Sequence, residues 1–166
     1  MPDQFRITPA HPDEIEIVQE FLQPFMDGHY LLPRTWQEIL KLMIHGFVAR
    51  CDGRVVGFAA VEIYSRKLAE IQCLAVDANF RRQGIGSGLV RCCVQRAAEL
   101  QVLELMAISA SDEMFLSCGF DYSLPNQKRA LFIQPLQAAG NDVGERPSEV
   151  VANQEVAQTK DSRVNQ

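Results

Sequence analysis

The spacing of apolar residues predicts a short strand and then two helices in the first part of the chain. Residues 4–8 are typical of a strand, and His11-Pro12-Asp13-Glu14 is typical of a helix start, with proline in the first turn and acids at the positive end of the dipole. The helix that follows should bury one face, formed by Ile15, Val18, Phe21, Leu22 and Phe25. Thr35-x-x-Glu38 predicts a capping box for a second helix, whose apolar side is Trp36, Ile39, Leu40, Met43 and Ile44.

From Phe47 the pattern changes to that of strands. The segments FVARC and RVVGFAAVEIY, joined by a turn at Asp52-Gly53, predict a hairpin. The second of these strands is apolar on both faces, so it should lie centrally in a sheet that is covered on both sides. The next strand is LAEIQCLAVD. A polar loop then leads into a helix, SGLVRCCVQRAAELQV, with a predicted buried stripe at Val90, Cys93, Val94, Ala97 and Leu100.

The remaining pattern predicts a strand (ELMAISAS), a short helix (DEMFLSCG) and two closing strands (FDYSL and RALFIQPL). The order β-α-α-β-β-β-α-β-α-β-β favours an α/β (α+β) fold, a mixed sheet with helices on both faces. From Ala138 onward the chain has no Leu, Ile, Met, Phe, Tyr or Trp. Such a segment buries too little apolar surface to offset the entropy of ordering it. We therefore expect a folded domain at residues 1–137 and a disordered tail at residues 138–166.

Composition and charge narrow the classes of function. A chain of 166 residues, 47% hydrophobic and 22% charged, is typical of one globular domain. A net charge of -5 argues against a dedicated nucleic-acid binder. No apolar run reaches the ~18 residues of a membrane span, and no secretory signal is visible at the N-terminus. Five cysteines without a CxxC pair indicate a reducing cytoplasm, and three scattered histidines predict no metal site.

The most informative segment is a glycine-rich loop between a strand and a helix. The strand ends at Asp77, the loop contains Arg81-Arg82-Gln83-Gly84-Ile85-Gly86, and the helix begins at Ser87. Backbone N–H groups and a helix dipole then converge on one place, which suits a pyrophosphate. The spacing is not G-x-G-x-x-G, because Leu89 stands at the third glycine position, and the G-K-[ST] of a P-loop is missing. A purely structural turn remains an alternative.

This loop resembles motif A of the GCN5-related N-acetyltransferase (GNAT) superfamily, R-x-x-G-x-G between "CLAVD" and "SGLV". The segment FLSCGF, from Phe115 to Phe120, is similar to the short helix and "GF" that follow the next strand in that superfamily. The resemblance covers about residues 4–136 and implies a mostly antiparallel sheet and acetyl-CoA as cosubstrate. It implies that Leu74, Ala75 and Val76 meet the pantetheine arm and the acetyl group. It also implies a set of residues around the pyrophosphate: Arg81, Arg82, Gln83, Gly84, Ile85, Gly86 and Ser87.

The implied reaction is attack of a neutral amine on the thioester, which needs a base, an oxyanion donor and a proton for the thiolate. By resemblance Glu70 is the expected base, with Glu62 as its competitor, and either could instead be a solvated strand residue. The Val76 amide is the expected oxyanion donor. Many members place a tyrosine four residues before the "GF" glycine, where this chain has Phe115. The proton would then come from water or from one of four side chains: Ser109, Ser111, Cys118 or Tyr122.

A closer resemblance is to the acetyltransferase domain of N-acetylglutamate synthase. It is carried by three segments: LLPRTxxE at 31–38, AEIQCLAV at 69–76 and LPxxKRxL at 124–131. That family acetylates the α-amine of glutamate, which implies cationic or hydroxyl partners for carboxylates at Arg34, Ser109, Ser111 and Lys128. The chain departs from the family at Ala110, where the family has arginine, and at Phe132-Ile133, where it has Tyr-Asn. A different acidic or small amine therefore remains open as the acceptor.

Three functions remain open at this point. The first is an N-acetyltransferase acting on a small-molecule amine, with an amino acid as the favoured acceptor. The second is a protein or peptide N-acetyltransferase. The third is a catalytically silent acyl-CoA-binding module, which Phe115 in place of tyrosine suggests. We expect a small-molecule partner, no nucleic-acid or membrane partner, and leave a homodimer open.

Overall fold

The computed structural model describes residues 5–122, which all belong to one unit, Met1–Leu124. The described strands are β1 (Arg6–Pro9), β2 (Gly46–Cys51), β3 (Arg54–Ile63), β4 (Leu68–Val76) and β5 (Glu104–Ala107). The described helices are α1 (Ile15–Asp27), α2 (Trp36–Met43), α3 (Ile85–Glu99) and α4 (Glu113–Ser117). A turn of 3₁₀ helix at Pro12–Glu14 leads into α1. The order of these elements is the predicted one as far as α4.

The five strands form one sheet in the order β1-β2-β3-β4-β5. The first three pairings are antiparallel and β4 pairs β5 in parallel, so the predicted mixed, mostly antiparallel sheet is confirmed. The predicted hairpin is also confirmed, because β2 and β3 are joined at Asp52 and Gly53, which have φ of 47° and 79°. Two residues with positive φ are typical of the tightest hairpin turns. The strand that is apolar on both faces, β3, lies at the centre.

Helices cover the sheet on both sides. One apolar cluster joins α1 and α2 to one face through residues that include Val18, Leu22, Ile39 and Phe58. A second cluster joins α3 to the other face through residues that include Ile85, Leu89, Val90 and Cys93. Gly57 of β3 allows the close approach of α3, since a Cβ there would lie 3.0 Å from side-chain atoms of Ile85 and Leu89.

The predicted helix faces are the buried ones, but the predicted faces of α2 and α3 include residues that are exposed. Four of the residues expected to be buried are exposed: Trp36, Ile44, Val94 and Leu100. Ile44 and Leu100 follow the last residues of α2 and α3 as C-caps. In their place Leu42 of α2 and Leu89 of α3 are buried. Helical spacing identifies the buried side, whereas the packed elements decide how far around the helix it extends.

The predicted capping box at the start of α2 is confirmed. Glu38 donates its N–H to the Thr35 hydroxyl (3.3 Å), and Thr35 donates its N–H to the Glu38 carboxylate (2.6 Å). The predicted strand FDYSL begins at Phe120, and residues 120–122 are not in a strand. The rest of that segment, the strand RALFIQPL, Lys128 and the tail predicted at 138–166 lie outside the described residues.

Candidate active site

A cavity of about 1020 Å³ opens where β4 and β5 separate. The two strands pair over four residues, from Leu68↔Glu104 to Ile71↔Ala107. There β5 ends, whereas β4 continues to Val76. The continuing part of β4 lines the cavity on one side and residues 108–111 line it on the other. From Glu70 to Val76 the cavity follows β4 for roughly 20 Å at ~3.3 Å per residue.

A sharp bend in β4 accompanies this separation. Cys73 has φ of 55°, and the β3–β4 register shifts between Phe58↔Ala75 and Ala60↔Gln72. Such a bulge re-aims the strand and twists it more strongly. Cys73 is buried, and burial raises the pKa of its thiol to about 11, although the nearby Arg34 guanidinium acts in the opposite direction. A thiol with this pKa is protonated near neutrality and is a weak nucleophile.

The loop that follows β4 ends at the N-terminus of α3, beside the cavity. Gly84 is the N-cap with φ of 86°, and a glycine has no side chain to make a capping hydrogen bond to this terminus. The first helical bond runs from the Gly88 N–H to the Gly84 carbonyl (2.9 Å). The N–H groups of residues 85–87 therefore lie ahead of the helix's own hydrogen bonds, where an anion can bind them.

Five of the predicted pyrophosphate residues line the cavity: Arg81, Arg82, Gly84, Gly86 and Ser87. Gln83 is exposed beside them, and Ile85 is buried in the core with only its backbone available. A Cβ at Gly86 would lie 2.8 Å from the Met114 sulfur of α4, so the Met114 side chain would have to shift to accommodate it. A Cβ at Gly84 would meet nothing within 4 Å, so open space lies over the cap. The arrangement fits a diphosphate.

Glu70 is a buried carboxylate that lines the same cavity. It accepts a hydrogen bond from the Tyr64 hydroxyl at 2.5 Å. Glu62 is its partner in the β3–β4 register, so both side chains lie on one face of the sheet. Glu62 is half-buried, its carboxylate is 3.4 Å from the Tyr64 hydroxyl, and it does not line the cavity. The structure thus brings Glu70 to the cavity in preference to Glu62.

Arg34 also lines the cavity, and hydrogen bonds connect it to Glu70. Its guanidinium donates to the Gln72 side-chain carbonyl at 2.8 Å. The Gln72 amide donates to the Tyr64 hydroxyl at 3.4 Å, and that hydroxyl donates to Glu70. Tyr64 and Gln72 were not predicted as site residues. Their only signal in the sequence is that they stand two positions from Glu62 and Glu70, on the same face of their strands.

The Val76 amide faces the cavity side of β4. Asp77 donates its N–H to the Val56 carbonyl of β3 at 2.9 Å. Successive N–H groups point to opposite edges of a strand, so the Val76 N–H points away from β3. That edge is the one on which the cavity lies. The orientation is suitable for a hydrogen-bond donor to a bound carbonyl oxygen.

Ser109 and Ser111 line the cavity wall opposite β4. The Ser109 hydroxyl donates to the Ser111 carbonyl at 2.6 Å and accepts the Ser111 N–H at 3.1 Å. Phe115 also lines the cavity and packs edge-to-face on Phe120, with ring centroids 5.3 Å apart. Two other residues considered as proton donors, Cys118 and Tyr122, do not line it, and the Tyr122 hydroxyl donates to Asp112.

Among residues 5–122, no group of three or more His, Cys, Asp or Glu side chains is placed to hold a metal ion. None of the helices described there has the length and apolar character needed to cross a membrane.

Comparisons with known proteins agree on one family. Residues 14–120 match the model of the Acetyltransferase (GNAT) family. An uncharacterized N-acetyltransferase of Chlorobaculum tepidum is 34% identical over 90 residues, which are 54% of this chain and 58% of that protein. An amino-acid acetyltransferase of Actinobacillus pleuropneumoniae is 28% identical over 114 residues, which are 65% of this chain and 26% of that protein. The chain thus spans well under two thirds of these curated relatives.

A solved structure supports the fold. N-acetylglutamate synthase from Neisseria gonorrhoeae, crystallised with coenzyme A and N-acetyl-glutamate, superposes with a TM-score of 0.61 at 22% identity. The match covers 70% of this chain and 28% of that one. At this identity the likeness establishes a shared architecture.

Proposed function

The chain belongs to the acetyltransferase (GNAT) family, and on that premise we propose that it transfers the acetyl group of acetyl-CoA to the primary amine of an amino acid. One observation carries the proposal. A single cavity joins a helix N-terminus with a glycine N-cap, a strand edge that no described strand pairs beyond Ile71, a buried carboxylate and a guanidinium. These four features match the diphosphate, the pantetheine arm, the amine and the carboxylate of the two substrates.

The cofactor end of the cavity is the loop before α3. The N–H groups at the start of α3, together with Arg81 and Arg82, would hold the pyrophosphate of acetyl-CoA. The free edge of β4 between Leu74 and Val76 would hydrogen-bond the amide groups of the pantetheine arm, as a neighbouring strand would. Coenzyme A in the N-acetylglutamate synthase structure supports this assignment.

The acceptor end carries one charge of each sign. Glu70 would receive the ammonium group of an amino acid, and Arg34 would receive its carboxylate. A zwitterion therefore fits this end better than an amine without a carboxylate. The relatives named as amino-acid acetyltransferases favour the same acceptor class.

The proposed chemistry is one direct transfer. Glu70 takes a proton from the acceptor ammonium, either directly or through water, and the nitrogen lone pair then attacks the thioester carbonyl carbon. The Val76 N–H stabilises the negative charge that develops on the carbonyl oxygen. The new C–N bond forms, the C–S bond breaks, and coenzyme A leaves as a thiolate.

The thiolate then receives its proton from solvent. Phe115 has no proton to give, and the hydroxyls of Ser109 and Tyr122 already donate to the Ser111 carbonyl and to Asp112. Solvent can reach the thiolate along the cavity, because its walls at Ser109 and Ser111 are exposed. No acetyl-cysteine intermediate is needed.

Thiol release from acetyl-CoA with a panel of acceptors tests the proposal. The panel contains the twenty amino acids, their decarboxylated amines where these exist, and lysine-containing peptides. We expect release with at least one free amino acid, and mass spectrometry should find the acetyl group on its α-nitrogen. Release with peptides alone would replace the amino acid by a protein acceptor. An acetyl-CoA thermal shift without release on any amine would indicate a silent binding module.

A further inference from the structure

Tyr64 belongs to none of the sequence motifs, yet its hydroxyl lies between Glu70 and Gln72 at the acceptor end of the cavity. It donates to Glu70 at 2.5 Å, accepts from the Gln72 amide at 3.4 Å, and lies 3.4 Å from the Glu62 carboxylate. The ring lines the cavity and is half-exposed. Although Tyr64 is half-exposed, its hydroxyl points inward to the buried Glu70 carboxylate.

The backbone holds Tyr64 in this place. It is the first residue after β3, and its N–H donates to the Leu68 carbonyl across the β3–β4 turn at 3.1 Å. Glu70 and Gln72 stand two residues apart on β4, so both side chains project from the same face as the tyrosine ring. The register between two paired strands therefore sets the hydroxyl between the carboxylate and the amide.

We propose that Tyr64 is a positioning residue that holds the Glu70 carboxylate in the orientation needed to accept the acceptor's proton, an inference that rests on the proposed function. The hydroxyl occupies one lone pair of the carboxylate and leaves the other oxygen for the ammonium group. Gln72 extends these hydrogen bonds to Arg34. Glu70, which would bind the acceptor's ammonium group, and Arg34, which would bind its carboxylate, therefore belong to one hydrogen-bonded network.

The hydroxyl is suited to this role because it does not ionise in the working range. Burial and the hydrogen bond to Glu70 raise the pKa of Tyr64 to about 12. It therefore remains protonated, and a hydrogen-bond donor, at neutral and mildly alkaline pH. Glu62, the second carboxylate near it, lies farther away and outside the cavity.

A double-mutant cycle tests the proposal. Tyr64→Phe removes only the hydroxyl, and we expect it to lower kcat about tenfold, as for loss of one hydrogen bond to a charged group. The KM for acetyl-CoA should be unchanged. In a Glu70→Gln background the same change should lower kcat less than about twofold, because there is no longer a carboxylate to orient. As a control, Tyr64→Phe in an Arg82→Ala background should keep its full tenfold effect.

Each outcome has a definite meaning. An equal loss in the Glu70→Gln and Arg82→Ala backgrounds would mean that Tyr64 does not act through Glu70, and would overturn this inference alone. A wild-type protein that acetylates no amine would overturn the proposed function and this inference with it. Thermal melts of all variants identify any that fail to fold. In that case Tyr64→Leu, which keeps an apolar side chain without a hydroxyl, takes the place of Tyr64→Phe, with the same outcomes.

Discussion

Glu70 and Arg34 bring opposite charges into one cavity in different surroundings. Glu70 is buried, and a buried carboxylate is costly unless it is hydrogen-bonded, which is the contribution of Tyr64. Arg34 is largely buried too, and its guanidinium is held by the Gln72 carbonyl at 2.8 Å with Glu38 at 4.0 Å. Arg34 and Glu70 do not form an ion pair with each other, so under the proposed function each charge can bind the opposite charge of an amino-acid acceptor.

Replacing Arg34 by glutamine should weaken binding of acceptors that carry a carboxylate. We expect KM for the amino acid to rise at least about tenfold, as for loss of a charge-assisted hydrogen bond. The decarboxylated amine of the same acceptor should be affected less than about threefold. Steady-state kinetics on the matched pair measure both values. Arg54→Gln is the control, since Arg54 is exposed, pairs with Asp77 at 3.5 Å and does not line the cavity. Equal losses for both acceptors would remove the carboxylate-binding role.

At the residue scale the sequence predicted Glu70, Arg34 and the glycine loop, because a motif carried each of them. It could not predict Tyr64 or Gln72. Their roles depend on which residues face each other across β3 and β4, where Glu62 pairs with Glu70 and Ala60 with Gln72. The sequence ranked Glu70 above Glu62 by resemblance alone, because the two are cross-strand partners whose difference in burial is not visible in the sequence pattern.

At the scale of elements, the start of α3 is defined by backbone conformation more than by side chains. Gly84 is left-handed with open space above it, and Arg82 before it also has positive φ, 62°. Two such residues turn the chain so that the first N–H groups of α3 face the cavity. An anion bound there gains from the helix dipole as well as from hydrogen bonds.

Gly84→Ala should weaken acetyl-CoA binding through backbone strain. A Cβ meets nothing at this position, so the cost is the left-handed conformation itself, about 1–2 kcal/mol. We expect acetyl-CoA to raise the melting temperature of the wild type and to raise that of the variant less. Gly53→Ala is the matched control, with φ of 79°, nothing within 4 Å, and a place in the β2–β3 turn. If both variants lose the same share of the acetyl-CoA shift, the loop is not where the cofactor binds.

Elements with local sequence signals could be predicted, but how far they are buried and where they end could not. The turn at Asp52-Gly53 and the capping box at Thr35 depend on neighbouring residues alone, and both are confirmed. The exposed positions of Ile44 and Val94 depend on where the sheet stops, which no local pattern contains. The length of β5 could not be predicted from local pattern either, because β5 ends where its pairing with β4 is lost and the cavity opens.

At the scale of the whole described unit, the sheet separates two apolar layers, and each layer contains a buried thiol. Cys73 packs with α1 and α2, and Cys93 packs with α3. Burial raises the pKa of these thiols to about 11 and about 12, from an ordinary value of 9.0. The five cysteines all lie in residues 5–122 and form no disulfide there.

Stability should fall as pH rises above about 9. The unfolded chain ionises its thiols there, whereas the folded chain keeps the Cys73 and Cys93 thiols protonated to pH 11–12. The unfolded state then binds fewer protons, so each thiol lowers the free energy of unfolding by up to about 1.4 kcal/mol per pH unit in this window. Thermal melts at pH 8, 9 and 10.5 under reducing conditions measure the effect. The melting temperature of Cys93→Ala should decline less steeply, and an equal slope would contradict the thiol origin.

The four-residue pairing of β4 with β5 also bears on how such a molecule can diverge. Beyond Ile71 the edge of β4 offers main-chain groups, which every residue except proline supplies in full. Side chains along this edge can therefore change during evolution. The main-chain groups that would hydrogen-bond a ligand's amides are preserved. Selection can then act on the side chains around the acceptor almost independently of cofactor binding. An architecture shared at 22% identity is consistent with that freedom.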